Sequence, residues 1–127
     1  MAARTIRVLV VDDNLQFLRA AVRIFRLHAA VERVCCAATA KEAMAKARSI
    51  KPHLVLLDVA MPGISAVDLT RLLKAAPDAP WVAIVSLSDG PEYHAAAAAA
   101  GADGFLPKGE LTARLPSLLR TCSAASR

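Results

Sequence analysis

Residues 54–58 read Leu-Val-Leu-Leu-Asp, which is an unbroken apolar run closed by a carboxylate. A strand that is apolar on both faces is typical of the centre of a parallel sheet, where helices cover each side. The turn that follows is built from Met61-Pro62-Gly63. We therefore predict that 54–58 is the central strand of an α/β domain, and that Asp58 lies at its carboxyl end.

On either side of this strand, short apolar runs rich in β-branched residues alternate with segments of helical period. This alternation predicts a parallel sheet with helices on both faces. The other predicted strands cover 6–11, 31–37, 82–86 and 104–106. The predicted helices cover about 14–28, 40–49, 66–75 and 91–100, and a fifth helix follows the last strand.

Three local patterns refine the helices. In the first helix, the spacing predicts that Leu15, Leu18, Val22 and Phe25 face the sheet. At the start of the second, Thr39 and Glu42 fit a capping box, and Gly101 suits the end of the fourth. In the last helix an apolar face competes with Pro116, which predicts a kink or a late start. That face comprises Leu111, Leu115, Leu118, Leu119 and Cys122.

Length and composition limit the class of protein. The chain has 127 residues and 56% of them are apolar, which predicts one compact domain over 1–127 and excludes a disordered chain. No apolar stretch approaches the roughly 20 residues of a membrane span, and the first residues lack the apolar region and cleavage site of a signal peptide, so we expect a cytoplasmic protein. Three cysteines without metal-ligand spacing, Cys35, Cys36 and Cys122, suggest small buried thiols in a reducing cytoplasm. We expect no linker or effector domain after Cys122.

Charged or hydroxyl side chains lie at or just after the ends of four of the five predicted strands. Because parallel strands end at the same edge of the sheet, that edge should gather Asp12, Asp13, Asp58, Ser86 and Lys108. Three carboxylates in one crevice repel each other, and a divalent cation with a preference for oxygen ligands removes that cost. The sequence therefore predicts a Mg²⁺ site there.

Asp58 is the best candidate for a nucleophile, because it ends the central strand and a Pro-Gly turn leaves space above it. Carboxylates attack phosphorus to form aspartyl phosphates. Ser86 could donate a hydrogen bond to a phosphoryl oxygen, and Lys108 could neutralise another. Simpler interpretations exist for each residue taken alone: an Asp pair can cap a helix, and Ser86 and Lys108 can be ordinary surface residues. Their convergence favours phosphoryl chemistry.

Four motifs together resemble the receiver domain of two-component response regulators, both the single-domain chemotaxis type and the LuxR type. They are Val-Leu-Val-Val-Asp-Asp-Asn at 8–14, Leu-Val-Leu-Leu-Asp-Val-Ala-Met-Pro-Gly at 54–63, Val-Ser at 85–86, and Ala-Gly-Ala-Asp-Gly-Phe-Leu-Pro-Lys at 100–108. The resemblance covers essentially the whole chain. It implies a flavodoxin-like (βα)5 fold with the strand order 2-1-3-4-5.

The resemblance also assigns roles. It implies that Asp58 accepts a phosphoryl group from a histidine kinase or phosphotransfer protein, and that Ser86 and Lys108 contact that group. It implies a Mg²⁺ ion held by Asp12, Asp13, Asp58 and the backbone carbonyl of Ala60. Phe105 falls where the family keeps an aromatic switch, although plain packing explains it equally well. A downstream partner would bind the face formed by helix four, strand five and helix five. The protein would be a switch with slow self-catalysed phosphorylation and dephosphorylation, not a conventional enzyme.

Some residues depart from the family pattern. Ala66 stands where many members have Gly, and Gly109 replaces the Pro that often follows the lysine, so a cis peptide is not required there. Ala60 and Ser88, two residues beyond Asp58 and Ser86, are small and uncharged at positions that help to set the phosphate lifetime. Ala60 also disfavours an aspartate-nucleophile phosphatase, because such enzymes generally carry a catalytic acid there.

Charge is unevenly distributed along the chain. The net charge is +5, and residues 1–64 hold ten Lys and Arg against five acids, three of which belong to the proposed site. Arg19, Arg23 and Arg26 form a stripe on the first helix. This stripe is either a solvated face or a docking surface for an acidic patch on a phosphodonor or target protein. A basic module that keeps the fold and works without phosphorylation is a further alternative. Direct nucleic-acid binding is disfavoured, since stacking aromatics and a recognition helix are not evident.

Overall fold

The computed structural model describes residues 5–61, 63–88 and 90–125, so Pro62 of the predicted Met61-Pro62-Gly63 turn lies outside the described residues. Strands and helices alternate along the chain. In order they are β1 (Ile6–Val11), α1 (Leu15–Arg26), β2 (Val31–Ala37), α2 (Ala40–Ile50), β3 (Leu54–Asp58), α3 (Ala66–Lys74), β4 (Trp81–Ser86), α4 (Pro91–Ala99), β5 (Gly104–Pro107), a 3-10 turn (Lys108–Glu110) and α5 (Leu111–Ala125). The predicted strand and helix boundaries are confirmed to within two residues.

All five strands are parallel and follow the order β2-β1-β3-β4-β5, which confirms the predicted topology. β3 lies at the centre, and each of its five residues is buried. Asp58 is therefore held in the middle of the sheet's carboxyl edge, with β1 and β4 on either side.

The core forms two layers because side chains alternate along each strand. One layer packs Val8, Val10 and Leu56 against residues of α1 and α5, such as Phe25 and Leu115. The other packs strand residues against α2, α3 and α4, and includes Leu9, Val55, Leu57, Ala43, Leu69 and Ala97. The predicted covering of both sheet faces is confirmed.

The predicted apolar face of α1 is partly wrong. Leu18 and Phe25 are buried as expected, whereas Leu15 is 59% exposed and Val22 is half-buried. At about 100° per residue the buried face centres on Leu18, Ala21 and Phe25, which places Leu15 and Val22 to one side of it. Those two residues line an open groove beside the outer strand β2.

The fifth helix resolves one of the two alternatives predicted for it. It begins at Leu111 and runs through Pro116, so it does not start late, and the kink at Pro116 stays a prediction. Leu111, Leu115, Leu119 and Cys122 are buried, and Leu118 packs beside them. Pro116 and Thr112 are exposed, so the carbonyl that loses its hydrogen-bond donor lies on the solvent side of the helix.

The predicted helix termini form as expected, with one change in detail. Thr39 Oγ1 accepts a hydrogen bond from the Glu42 amide at 3.1 Å, and the Glu42 carboxylate accepts one from the Ala38 amide at 2.7 Å, one residue earlier than a capping box requires. Gly101 has φ +84, the left-handed conformation that ends a helix.

The cysteines follow their position in the sheet. Cys35 and Cys36 pack into opposite core layers, as adjacent strand residues should, but both are only half-buried because β2 is an edge strand. Cys122 is buried, and burial raises its pKa to about 12.

Within the residues that the structure describes, none of the helices has the length and apolar character needed to span a bilayer.

Candidate functional site

The carboxyl edge of the sheet brings together all five residues that the sequence placed there. Asp12 and Asp13 follow β1, Asp58 and Ser86 end β3 and β4, and Lys108 follows β5. They line a cleft of about 390 Å³. The other lining residues are Asn14, Val59, Ala60, Leu87, Ser88 and Tyr93. The parallel arrangement of the strands is what makes residues so far apart in sequence neighbours in space.

The three carboxylates form one compact group. Each of Asp12, Asp13 and Asp58 offers an oxygen within 4.8 Å of the other two. Asp12 is fully buried, Asp58 is 6% exposed, and Asp13 is exposed at the mouth of the cleft. The group therefore extends from the interior to solvent, which gives an ion or a ligand a route to the buried carboxylates.

Local hydrogen bonds fix Asp12 and the start of α1. The Asp12 amide donates to the Ala37 carbonyl at 3.0 Å, and Asp12 Oδ1 accepts from the Asn14 amide at 2.9 Å. Asn14 in turn caps α1, since its Oδ1 accepts from the Gln16 and Phe17 amides. The sequence allowed either a helix-capping or a metal-binding role for the Asp pair. The helix cap is Asn14, which leaves Asp12 Oδ2 directed at the cleft.

Lys108 lies across the two buried carboxylates. Its Nζ is 2.5 Å from Asp12 Oδ2 and 3.5 Å from Asp58 Oδ1, and its side chain is only 9% exposed. One ammonium cannot balance three carboxylates, so the formal charge of the cluster is about −2. That excess negative charge favours a further cation.

Burial raises the pKa of Asp58 above its ordinary value, and the neighbouring Asp12 carboxylate raises it further. Lys108 and a hydrogen bond with the Ala60 backbone act in the opposite direction and do not overcome these effects. The carboxyl group is therefore easier to protonate in the folded protein than in a free peptide. A cation bound beside it would favour the ionised form, which is the nucleophilic one.

The residues present fit a hard divalent cation such as Mg²⁺. Carboxylate oxygens are its preferred ligands, and three of them lie within one coordination sphere's reach. Asp12 Oδ2 has the ion-pair contact with Lys108 but no hydrogen-bond partner, although it is fully buried. A buried oxygen of this kind is suited to metal ligation. Ala60 lies on the cleft wall, and the role predicted for its carbonyl stays a prediction.

Ser86 and Lys108 are brought together by the pairing of β4 with β5. Ser86 is opposite Pro107, the residue before the lysine, and is 3% exposed. Its Oγ accepts a hydrogen bond from the Ser88 amide at 3.1 Å, which leaves the hydroxyl hydrogen available for a ligand.

Phe105 is placed outside the set of residues that line the cleft. It is half-buried against the α2–α4 core layer, and its ring centroid is 4.1 Å from that of His94 on α4. The ring thus connects β5 to α4. Whether Phe105 moves stays a prediction.

Two aromatic residues near the cleft were not predicted from the sequence. Tyr93 lines the cleft from the first turn of α4, and the Phe17 ring centroid lies 4.7 Å from Lys108 Nζ. Both sit in the first turn of a helix that follows a strand, and such turns start at the carboxyl edge of the sheet. Their position in the first turn of a helix could therefore have identified both residues from the sequence.

Comparison with known proteins agrees with the geometry. Residues 8–120 match the family described as "Response regulator receiver domain". Over 96% of its length the chain is 36% identical to the response regulator GacA of Pseudomonas protegens, of which it covers 57%. It is also 41% identical, over 81% of its length, to a protein-glutamate methylesterase/protein-glutamine glutaminase of Aliivibrio fischeri, of which it covers 28%.

The fold is shared with solved receiver structures. The signal receiver domain of the putative response regulator NarL from Mycobacterium tuberculosis superposes with a TM-score of 0.85 at 26% identity, over 95% of this chain and 98% of that one. The chain thus spans little more than half of GacA and about a quarter of the methylesterase/glutaminase. It spans nearly all of the solved receiver domain. The chain therefore belongs to the response regulator receiver domain family of two-component systems, whose general function is phosphorylation-based signalling and whose members generally bind Mg²⁺ through an acidic cluster.

Proposed function

We propose that this protein accepts a phosphoryl group on Asp58 from a histidine kinase or phosphotransfer protein and thereby switches its affinity for a partner. One observation carries the proposal: Asp58 is buried at the carboxyl edge, within 4.8 Å of the Asp12 and Asp13 oxygens and 3.5 Å from the Lys108 ammonium. A carboxylate nucleophile, ligands for a divalent cation and a cation for the phosphoryl oxygens are thus gathered in one cleft.

The proposed roles follow from the contacts. Asp12, Asp13, Asp58 and the Ala60 carbonyl would hold Mg²⁺, which supplies charge neutralisation when bound. An Asp58 carboxylate oxygen would form the new bond to phosphorus as the bond from phosphorus to the donor nitrogen breaks, and the leaving imidazole takes up a proton. Lys108 and the Ser86 hydroxyl would each contact a phosphoryl oxygen, which offsets its charge in the transition state.

Signalling requires a partner that distinguishes the two states. We propose that the face formed by α4, β5 and α5 binds this partner, because Ser86 and Lys108 adjoin β4 and β5 and the Phe105 ring connects β5 to His94 on α4. The phosphorylated state would also decay by self-catalysed hydrolysis, at a rate influenced by the small residues Ala60 and Ser88. The three thiols fit the reducing cytoplasm, where we place the reaction.

The direct test is phosphorylation by a small molecule. We expect incubation with acetyl phosphate and Mg²⁺ to add about 80 Da, one phosphoryl group, to the intact mass. Omission of Mg²⁺, or Asp13→Asn, should reduce the yield at least tenfold, and Asp58→Asn should abolish the adduct. Asp78→Asn is the matched control, because Asp78 is an exposed carboxylate on the opposite side of the sheet.

Two results would refute this function. The first is an unmodified parent protein under conditions that phosphorylate another receiver. The second is an equal adduct on the Asp58→Asn variant, which would mean that a different residue is the acceptor.

We further propose that α1 is the docking element for an acidic surface of the phosphodonor. Arg19, Arg23 and Arg26 border an open apolar groove beside β2, and Leu15 and Leu27 at its ends are 59% and 83% exposed. Exposed leucines next to arginines suit a partner helix that is both apolar and acidic.

Charge reversal tests the docking surface. Arg19→Glu with Arg23→Glu should slow phosphotransfer from the cognate donor about tenfold and weaken its dependence on salt, because these charges steer association. Phosphorylation by acetyl phosphate should not change. Arg114→Glu with Arg120→Glu, at two exposed positions of α5, is the control for the same change in net charge. Unchanged transfer in the double variant would remove the docking role while the acceptor role of Asp58 would stand.

A further inference from the structure

The Lys108 ammonium is enclosed by three contacts. Two are the carboxylates of Asp12 and Asp58, and the third is the face of the Phe17 ring, whose centroid is 4.7 Å from Nζ. Phe17 is half-buried in the first turn of α1, where its amide donates to Asn14 Oδ1 at 3.2 Å. The helix cap therefore fixes the backbone of Phe17, and packing against the core holds its ring.

The three contacts differ in how the proposed reaction affects them. Asp58 becomes an acyl phosphate, so its carboxylate charge is replaced by charge on the phosphoryl oxygens. Asp12 is proposed to share its charge with the divalent cation. The ring of Phe17 takes no part in either change, so it is the contact that can stay with the ammonium throughout.

We propose that Phe17 is a positioning residue for phosphoryl transfer, holding the Lys108 ammonium over its ring face so that the lysine stays in the cleft and reaches the phosphoryl group. This inference rests on the proposed function of Asp58. A cation within about 6 Å of an aromatic centroid is attracted to the negative face of the ring, and the attraction strengthens when the cation is desolvated. Lys108, at 9% exposure, meets that condition.

The experiment separates the ring's charge distribution from its bulk. Rates of phosphorylation by acetyl phosphate are measured for the parent, Phe17→Leu and Phe17→Tyr at saturating Mg²⁺, with the Mg²⁺ affinity and thermal unfolding of each. We expect Phe17→Leu to be about 3- to 10-fold slower with unchanged Mg²⁺ affinity, and Phe17→Tyr to restore most of the rate. Fluorinated phenylalanines at position 17, which keep the ring's shape and weaken its negative face, should slow the reaction step by step.

Phe25→Leu is the matched control, since Phe25 is on the same helix but lies fully buried in the core. It should lower thermal stability without changing the rate at a temperature where it is folded. If the fluorinated series and Phe17→Leu phosphorylate at the parent rate, the positioning role is refuted. A rate that falls in proportion to lost stability in all variants, Phe25→Leu included, would refute it as well.

A spectroscopic measurement keeps this inference separate from the proposed function. A ring face above the lysine shifts the NMR signals of the Lys108 ε-methylene protons upfield, and Phe17→Leu should remove that shift. A parent protein that is never phosphorylated would refute the acceptor role of Asp58. Absence of the upfield shift in the parent would refute the contact with Phe17, whatever the phosphorylation assay gives.

Discussion

At the scale of single residues, Asp58 combines its proposed role as phosphoacceptor with a cost to folding. Burial, and next the Asp12 carboxylate, raise its pKa above its ordinary value. Between the pKa of the unfolded chain and the raised pKa of the folded protein, the folded state binds more protons. The free energy of unfolding therefore falls as the pH rises through this interval, and the loss is complete above it.

This fall in stability with rising pH leads to a prediction for Asp58→Asn. In metal-free buffer at pH 7 the variant should be more stable than the parent, on the order of 1 kcal/mol, because the buried charge is gone while Lys108 keeps Asp12 as its partner. The difference should disappear as the pH falls below the ordinary pKa of a carboxyl group. Urea unfolding at several pH values measures it, with Asp78→Asn as a control for net charge. A less stable variant at pH 7 would contradict the assigned pKa direction.

At the scale of elements, α3 contains a polar group that its packing leaves unsatisfied. Thr70 is fully buried, and its hydroxyl is one of two buried side-chain groups among the described residues that have no hydrogen-bond partner; the other is Asp12 Oδ2. The two oxygens differ in context, because Asp12 lies in the cleft beside Lys108 while Thr70 lies on the buried side of a helix. We infer that the unpaired Thr70 hydroxyl lowers the stability of the folded protein.

Thr70→Val should therefore stabilise the protein by about 1 kcal/mol, since valine keeps the shape and removes the unpaired hydroxyl. Thr121→Val on α5 is the matched control, because Thr121 is exposed and its hydroxyl donates to the Ser117 carbonyl at 3.0 Å. The control should change stability by less than about 0.5 kcal/mol. Chemical denaturation checks both variants, and a destabilised Thr70→Val would mean that the hydroxyl has a partner.

At the scale of the whole molecule, the two edges of the sheet have different roles. One edge holds the cleft, and the other holds hydrogen bonds that stabilise the fold. The proposed phosphoacceptor cleft occupies the carboxyl edge. At the amino edge, the Asp103 carboxylate accepts hydrogen bonds from Lys74 Nζ at 2.7 Å and from the Val82 amide at 2.8 Å, and thus ties α3 to β4 and to the start of β5. His53 performs a similar role nearby, since its Nδ1 accepts from the Arg7 amide at 3.0 Å.

Asp103→Ala should lower the free energy of unfolding by about 1 to 2 kcal/mol, because the Val82 amide loses its acceptor. The rate of Asp58 phosphorylation should stay within twofold of the parent at a temperature where the variant is folded. Asp78→Ala, which removes an exposed carboxylate at the same edge, should change neither quantity. A large loss of rate in Asp103→Ala would show that the two edges are coupled.

Most of the strands, helices and cleft residues could be predicted from the sequence. Apolar runs and helical periods depend on local geometry, so strand and helix boundaries could be read to within two residues. The rule that parallel strands end at one edge then placed Asp12, Asp58 and Lys108 together without coordinates. The strand order and the roles of Ala60 and Phe105 came only from resemblance, because no pattern within a strand specifies its neighbour.

How the helices and strands pack against each other became clear from the three-dimensional arrangement. It exposed Leu15, because the buried face of α1 is set by how the helix packs on β2 and β1 and not by the apolar spacing alone. It let α5 continue through Pro116, because the residues there face solvent. It also brought the Phe17 ring over Lys108, residues 91 positions apart in the printed sequence. Such contacts depend on the distance and angle between packed elements, which the local periodicity of a sequence does not encode.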